Sequence, residues 1–306
     1  MDLNKSLNGV LLVDKPKDMT SNAVVQRIKK ILKVKKIGHC GTLDPMATGL
    51  LILCIGKGTK IAGVLTSLDK EYEAVIQLGE ERDTDDATGV KLQSSQKTVT
   101  EEEVLKVLDE FTGPLEQVPP IYSAVKVKGK RAYRYAREGK NIDLTSRRII
   151  VYSLELVSFE DNRFALKIQC SKGTYIRSLA RDMGRRLGTY GYLTELRRTR
   201  IGRFECKDRG CQDNLEELLP DSLMRQVINI SEALYFVPSL SIAERATNKV
   251  FYGQPLTRED LIVAEQLDKE DSLIFKLSIG QEVIALVDQD LNYINVFHYE
   301  HLQSPQ

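Results

Sequence analysis

The sequence predicts an α+β protein in which strands and helices are mixed along most of the 306 residues, followed by a small β-rich unit. Short apolar or alternating runs bounded by turn residues supply the strands, and longer stretches with apolar residues at helical spacing supply the helices. A junction at Val237-Pro238-Ser239-Leu240, beyond which strand-like segments dominate, divides the chain into units at 1–238 and 239–306.

Gly9 to Val13 is a short apolar run fit for a buried strand, closed by the turn Asp14-Lys15-Pro16. A helix follows, capped by Thr20 or Ser21, with Val24, Val25, Ile28, Ile31 and Leu32 on one face and Arg27, Lys29, Lys30 and Lys33 on the other. Leu50 to Ile55 reads as a fully buried strand, Thr59 to Leu68 as a short helix and Tyr72 to Leu78 as an alternating strand. Thr100-Glu101-Glu102-Glu103 opens a helix to about Phe111, its acidic groups at the positive end of the helix dipole; Pro114, Pro119 and Pro120 then force a connection. Strands are expected at Ile121–Val127, Ile149–Phe159, Phe164–Cys170 and Tyr192–Thr199. Helices are expected at Arg131–Arg137, at Thr174–Leu187 and, rich in leucine, from about 210 to about 227.

Composition excludes more than it identifies. No apolar run approaches the ~20 residues of a membrane span, and no apolar targeting segment opens the sequence. The five cysteines, at 40, 54, 170, 206 and 211, form no Cys-x-x-Cys pair, which fits a reduced, cytoplasmic protein. The net charge of +1 hides segregation: +7 over residues 1–70, −9 over 71–118, +13 over 119–209 and −10 over 210–306. Basic blocks of this size suit a polyanion, because each neutralised phosphate releases counterions. Solvated helix faces would give the same charge count.

The most informative stretch is Gly38-His39-Cys40-Gly41-Thr42-Leu43-Asp44-Pro45-Met46-Ala47-Thr48-Gly49. Its glycines and proline fix backbone shape around a single acidic side chain, and Asp44, directly before Pro45, resists helix. A free aspartate titrates near ~3.9, so Asp44 can serve as nucleophile or base, provided a cation such as Arg177 pairs with it. His39 can be an acid or base, a stacking group or a loop cap, and Tyr72 can face a pocket or the core edge. Metal chemistry is not expected: His298 and His301 stand far along the chain from His39, and Cys206 with Cys211 lacks zinc-finger spacing. Asp83-Thr84-Asp85-Asp86-Ala87-Thr88-Gly89 has the wrong fifth and sixth positions for a calcium loop and reads as an acidic surface turn. Neither a phosphate loop nor a dinucleotide fingerprint is present.

Together, Gly38 to Leu50, Lys70-Glu71-Tyr72, Pro120 to Lys126, Cys170 to Arg177 and Leu196-Arg197-Arg198 resemble the TruB-type tRNA pseudouridine synthases over about 1–210. The resemblance implies a catalytic domain with a mixed, mainly antiparallel sheet and flanking helices. It implies isomerisation of uridine to pseudouridine, at position 55 in the T-loop of tRNA, with no cofactor and no metal. Carried onto this sequence, Asp44 matches the catalytic aspartate, Arg177 the arginine paired with it and Tyr72 the tyrosine stacked on the target base. His39 matches the histidine that enters the loop, and Leu196 a leucine lining the pocket. The end of the chain resembles a shortened PUA-like module whose acidity argues against a strong role in RNA binding. Met46-Ala47 after the proline and the lack of a long basic tail favour the stand-alone bacterial form, a monomer without guide RNA or obligate protein partner, over guide-dependent relatives. Two other classes compete: a non-catalytic RNA-binding or tRNA-folding protein, against which the intact aspartate loop argues, and a metal-dependent nuclease, which needs clustered carboxylates.

Overall fold

In a computed structural model, residues 7–140, 142–207, 211, 219–263, 267, 272–280 and 282–297 are described. The elements run β1 (Gly9–Lys15), α1 (Ser21–Leu32), β2 (Ile37–His39), β3 (Thr48–Ile55), α2 (Ala62–Thr66), β4 (Lys70–Leu78), β5 (Glu80–Arg82), β6 (Lys91–Ser94) and α3 (Glu101–Glu110). They continue as β7 (Gly113–Gln117), β8 (Lys126–Val127), β9 (Lys130–Arg131), α4 (Ala132–Arg137), β10 (Arg147–Glu160), β11 (Arg163–Cys170), α5 (Ile176–Arg186), β12 (Gly191–Ile201) and β13 (Phe204–Glu205). The remainder holds α6 (Pro220–Arg225), α7 (Ile230–Ala233), β14 (Ser239–Ser241), α8 (Thr247–Phe251), β15 (Phe275–Ile279), β16 (Glu282–Val287) and β17 (Tyr293–Val296).

The fold is α+β. Its main sheet runs β1-β3-β12-β4-β11-β10-β7, with β2 beside β3 and β13 beside β12. Every pairing is antiparallel except β3 with β12, which meet in parallel at Arg197 opposite Thr48 and Arg198 opposite Gly49. Tyr72, Ala74 and Ile76 of β4 share a buried cluster with Ile176, Leu179, Ala180 and Met183 of α5, so α5 covers one face of the sheet centre. A second sheet, β14-β15-β16-β17, belongs to the final unit. That unit has its own core, around Leu240, Phe275, Leu277 and Ile284. A further cluster joins Val283, Leu286 and Phe297 to Ile61, Leu65 and Ile230 of the larger part. Burial of that order, about 25 cal/mol per Å² of apolar surface, holds the small unit against the rest.

Several sequence expectations change in detail. Thr20 caps α1 by accepting from the Ala23 amide at 3.0 Å, which leaves the neighbouring Ser21 hydroxyl for another task. The helix expected over 59–68 is split into a 3₁₀ turn, Gly56–Ile61, and α2. The proline segment is not all connection, because Pro114 lies in β7, the edge strand, where a missing amide proton costs no ladder bond on the open side. No strand covers 121–127: residues 121–124 are bends, and only β8 pairs with β9. The two-residue turn between them has Lys128 at φ 49° and Gly129 at φ 81°, the geometry of a tight hairpin. Of the leucine-rich helix expected over 210–227, α6 is present, whereas 210 and 212–218 lie outside the described residues.

Candidate active site

The aspartate loop links β2 to β3, and the chain ties it down from several sides. Leu43, Met46 and Ala47 are buried and anchor it in the core. The Ser21 hydroxyl accepts from the Leu43 amide at 2.9 Å and donates to the Leu43 carbonyl at 3.0 Å, satisfying both backbone groups next to Asp44. The Pro45 carbonyl accepts from the Asp18 amide at 2.8 Å and from Lys15 Nζ at 3.2 Å, and Lys15 also donates to Met19. Lys15 is fully enclosed, which pushes its ammonium down to about 8, with the nearby Asp44 opposing the fall. Backbone groups removed from water are thus paired on both flanks of the loop.

Asp44 keeps 34% of its side-chain surface, whereas its partner Arg177 keeps 5%. Arg177 Nη2 donates to Asp44 Oδ1 at 3.2 Å, and Nε lies 3.0 Å from Oδ2, too oblique for a hydrogen bond but close enough for an ion pair. The guanidinium is held by two carbonyls, Thr84 at 2.9 Å and Tyr122 at 2.9 Å, and lies 3.6 Å from Asp86 Oδ2. Burial pushes the Asp44 carboxyl above its ordinary value; Arg177 opposes the rise and Asp86 adds to it. The site thus holds a carboxylate of strengthened basicity beside a fixed cation, with lone pairs still open to a reactant.

Tyr72 on β4 and Leu196 on β12 are buried at 8% and 9% exposure and belong to the cluster that holds Leu43 and Ala47. Burial raises the Tyr72 phenol above its usual range, and the Arg198 guanidinium acts against that rise. His39 ends β2 at the mouth of the loop, half-buried. Burial, aided by Arg198, lowers its imidazole below the usual value, and its buried Nδ1 has no hydrogen-bond partner, so it is neutral at pH 7. The loop and α5 therefore bring Asp44 and Arg177 into contact, Tyr72 and Leu196 share their packing, and His39 stands at the entrance.

The segment 83–89 corrects the sequence reading. It is a turn with Ala87 and Thr88 exposed, but it buries Asp85 and Asp86 to 6% and 4% exposure. Asp86 Oδ1 accepts from the Thr84 and Thr88 hydroxyls and the Thr88 amide at 2.8, 2.6 and 2.9 Å. Asp85 pairs with Arg181 at 2.8 Å, and burial pushes its carboxyl up to about 6 against the pull of that arginine. Arg177 and Arg181 stand one turn apart on α5, and that spacing opposite a double aspartate was the available signal. Lys15 and Ser21 gave no signal beyond turn and cap propensity.

A cleft of about 410 Å³ opens beside the loop, lined by Met46, Thr48, Ala74, Lys167 and Leu196; Asp44, Tyr72 and Arg177 do not line it. Among the described residues no group of three His, Cys, Asp or Glu side chains is placed to hold a metal ion. No helix among them is long and apolar enough to cross a membrane. His298 and His301 lie outside the described residues.

The sequence model of the TruB family pseudouridylate synthase N-terminal domain matches residues 29–176, and that of the tRNA pseudouridylate synthase B C-terminal domain matches 177–234. This chain belongs to the TruB family. TruB enzymes are pseudouridine synthases, and the chain is accordingly an isomerase. It is 44% identical over 250 residues to the tRNA pseudouridine synthase B of Aromatoleum aromaticum, covering 82% of this chain and 81% of that protein. The corresponding protein of Bordetella avium is 48% identical over 201 residues, 65% of this chain and 82% of the relative. Among solved structures, a chain from a Cbf5-Nop10-Gar1 complex matches at 26% identity and a TM-score of 0.71, over 94% of this chain and 80% of that one. The two matches together span the aspartate loop, Tyr72, Arg177 and Leu196, whereas Lys15 and Ser21 lie before the first of them.

Proposed function

We propose that the protein converts uridine to pseudouridine at position 55 in the T-loop of tRNA, with Asp44 as the catalytic group. The observation that carries this reading is the partly open Asp44 carboxylate, ion-paired to buried Arg177 on a loop whose backbone is bonded on both flanks. Relatives at 41–44% identity over about four fifths of this chain are tRNA pseudouridine synthases B, which supports tRNA as substrate.

The chemistry needs a uracil out of its stack, an anionic group at the ribose and exclusion of water. Asp44 acts on the sugar, either attacking C1′ or removing the 2′ proton, and the glycosidic bond breaks. The freed uracil rotates and C5 bonds to C1′ as the Asp44–C1′ bond breaks or, on the second route, as the 2′ proton is returned; C5 then loses its proton and N1 takes one up. Atoms balance without an external reactant. Arg177 keeps the carboxylate oriented, Tyr72 stacks on the extruded base, Leu196 closes the pocket beside it, and His39 enters the opened RNA loop as a neutral ring. Flipping costs a few kcal/mol, and stacking on an aromatic ring returns ~1–3 kcal/mol per base.

The basic block over 119–209 supplies the polyanion surface. It includes β9 and α4, where Lys130 of β9 lies 4.7 Å over the Tyr135 ring and Arg137 lies 5.5 Å over Tyr133. We assign the catalytic unit to 1–238 and the small PUA-like unit to 239–306, and read the protein as a cytoplasmic monomer that acts without guide RNA. The test is release of tritium from C5-labelled uridine in unmodified tRNA with chelator present. Release by the wild type, mapped to position 55, supports the reading; tight binding without release replaces it with an RNA-binding or RNA-folding protein.

A further inference from the structure

Among the described residues Arg198 is the largest fully buried side chain, at 2% exposure, and no carboxylate there pairs with it. Removing a guanidinium from water without a counter-charge costs several kcal/mol, and an apolar side chain of similar volume would fill the same space without that cost. What the guanidinium does with its donors is therefore informative. Nε donates to the Leu50 carbonyl at 2.8 Å and Nη2 to the Gly41 carbonyl at 3.2 Å. Gly41 and Leu50 stand on either side of the Asp44 loop, so one rigid planar group bridges its two ends.

The same residue is tied to Tyr72. In the sheet, Arg198 is the cross-strand partner of Tyr72 on β4 and, through the one parallel pairing, of Gly49 on β3. Cross-strand partners project their side chains to the same face, and the Arg198 charge acts on the Tyr72 phenol against the rise that burial causes. The backbone has closed around this arrangement: a Cβ on Gly49, at φ +101°, would lie 2.2 Å from the Arg198 carbonyl oxygen. Gly41, at φ +96°, likewise adopts a backbone that side chains disfavour.

We propose that Arg198 is a positioning residue that sets the Asp44 loop and the Tyr72 ring in one register, fixing the separation between the reacting carboxylate and the face on which the base stacks. The inference rests on the roles given above to Asp44 and Tyr72. Arg198 acts through two backbone carbonyls and its cross-strand pairing with Tyr72, whereas Arg177 acts on the Asp44 carboxylate itself. Lysine at 198 keeps the charge but, as a point donor, cannot span both carbonyls.

The experiment compares the full-length wild type with Arg198→Lys, measuring single-turnover tritium release, kcat and KM on unmodified tRNA, tRNA affinity by filter binding and thermal melting. The expected result is a loss of about 100-fold in single-turnover rate and kcat, the scale of an ångström misplacement, with tRNA affinity and KM within about threefold. A rate within about threefold of wild type, or a loss confined to KM and affinity, overturns the proposal. If Arg198→Lys does not fold, Arg198→Gln, which removes the buried charge, carries the same criteria. Release by wild type together with full activity of the variant defeats this proposal alone, whereas absence of release by the wild type defeats the reading on which it rests.

Discussion

Two carboxylates flank one guanidinium, and their surroundings differ. Asp86 is buried at 4% exposure, and its Oδ1 is filled by two hydroxyls and an amide. Asp44 keeps a third of its side-chain surface and takes its one side-chain hydrogen bond from Arg177. Both sit within 4 Å of the same cation, yet only Asp44 is exposed enough to offer its lone pairs to a substrate. Proximity to charge orients a carboxylate; exposure makes it available to a reactant.

Replacing each aspartate by asparagine tests that distinction most directly. Asp44→Asn is expected to lower turnover by more than about 10⁴-fold, at or beyond the upper range for loss of an acid–base group, while filter binding shows tRNA affinity retained. Measurable single-turnover product from that variant would falsify the assignment. Asp86→Asn leaves Asp44 intact but loosens Arg177, and its single-turnover rate should fall by about 100-fold. Because Asp86 is buried and its Oδ1 accepts three hydrogen bonds, the same change should lower unfolding free energy by about 1–3 kcal/mol, read from urea melts. Equal losses of rate in the two variants would erase the contrast.

The aspartate loop was legible because its backbone shape is written in local sequence: glycines and a proline around one acid within a dozen residues. The strands were legible for a similar reason, since Leu50 to Ile55 and Tyr72 to Leu78 carry their burial in their own periodicity. Asp86 was not, because its neighbours in sequence are turn-formers, and only docking on α5 and β12, through the Ala87 amide and the Leu193 carbonyl at 2.9 Å, takes it out of water. Residues 121–127 failed as a strand for a related reason. The Tyr122 carbonyl is spent on Arg177, a contact 55 positions away that no local window contains.

Ser21 extends the comparison to the backbone that presents Asp44. Ser21→Ala leaves the helix cap on Thr20 intact but deprives the Leu43 amide and carbonyl of their partner. The expected cost is about 1–3 kcal/mol in unfolding free energy, the price of leaving buried polar groups unmatched. A rate loss of about tenfold should accompany it, smaller than for Asp86→Asn because Arg177 still orients the carboxylate. An unchanged rate would show that the side-chain ion pair alone positions Asp44.

The smallest expected effect separates the two carboxylates by sign. Burial raises the Asp44 carboxyl and the Asp86 charge raises it further, while Arg177 pulls it down. In the proposed mechanism the reacting form is the anion, so activity is expected to be lost as pH falls through this raised value, and the acid limb of the single-turnover profile should lie above the ordinary aspartate range. In Asp86→Asn one repulsive charge is gone and Arg177 has one anion fewer to share. Both changes favour the Asp44 anion, so the limb should move to lower pH even as the maximal rate drops. Movement to higher pH would mean that Asp86 serves Asp44 chiefly by holding Arg177 in place, with repulsion secondary.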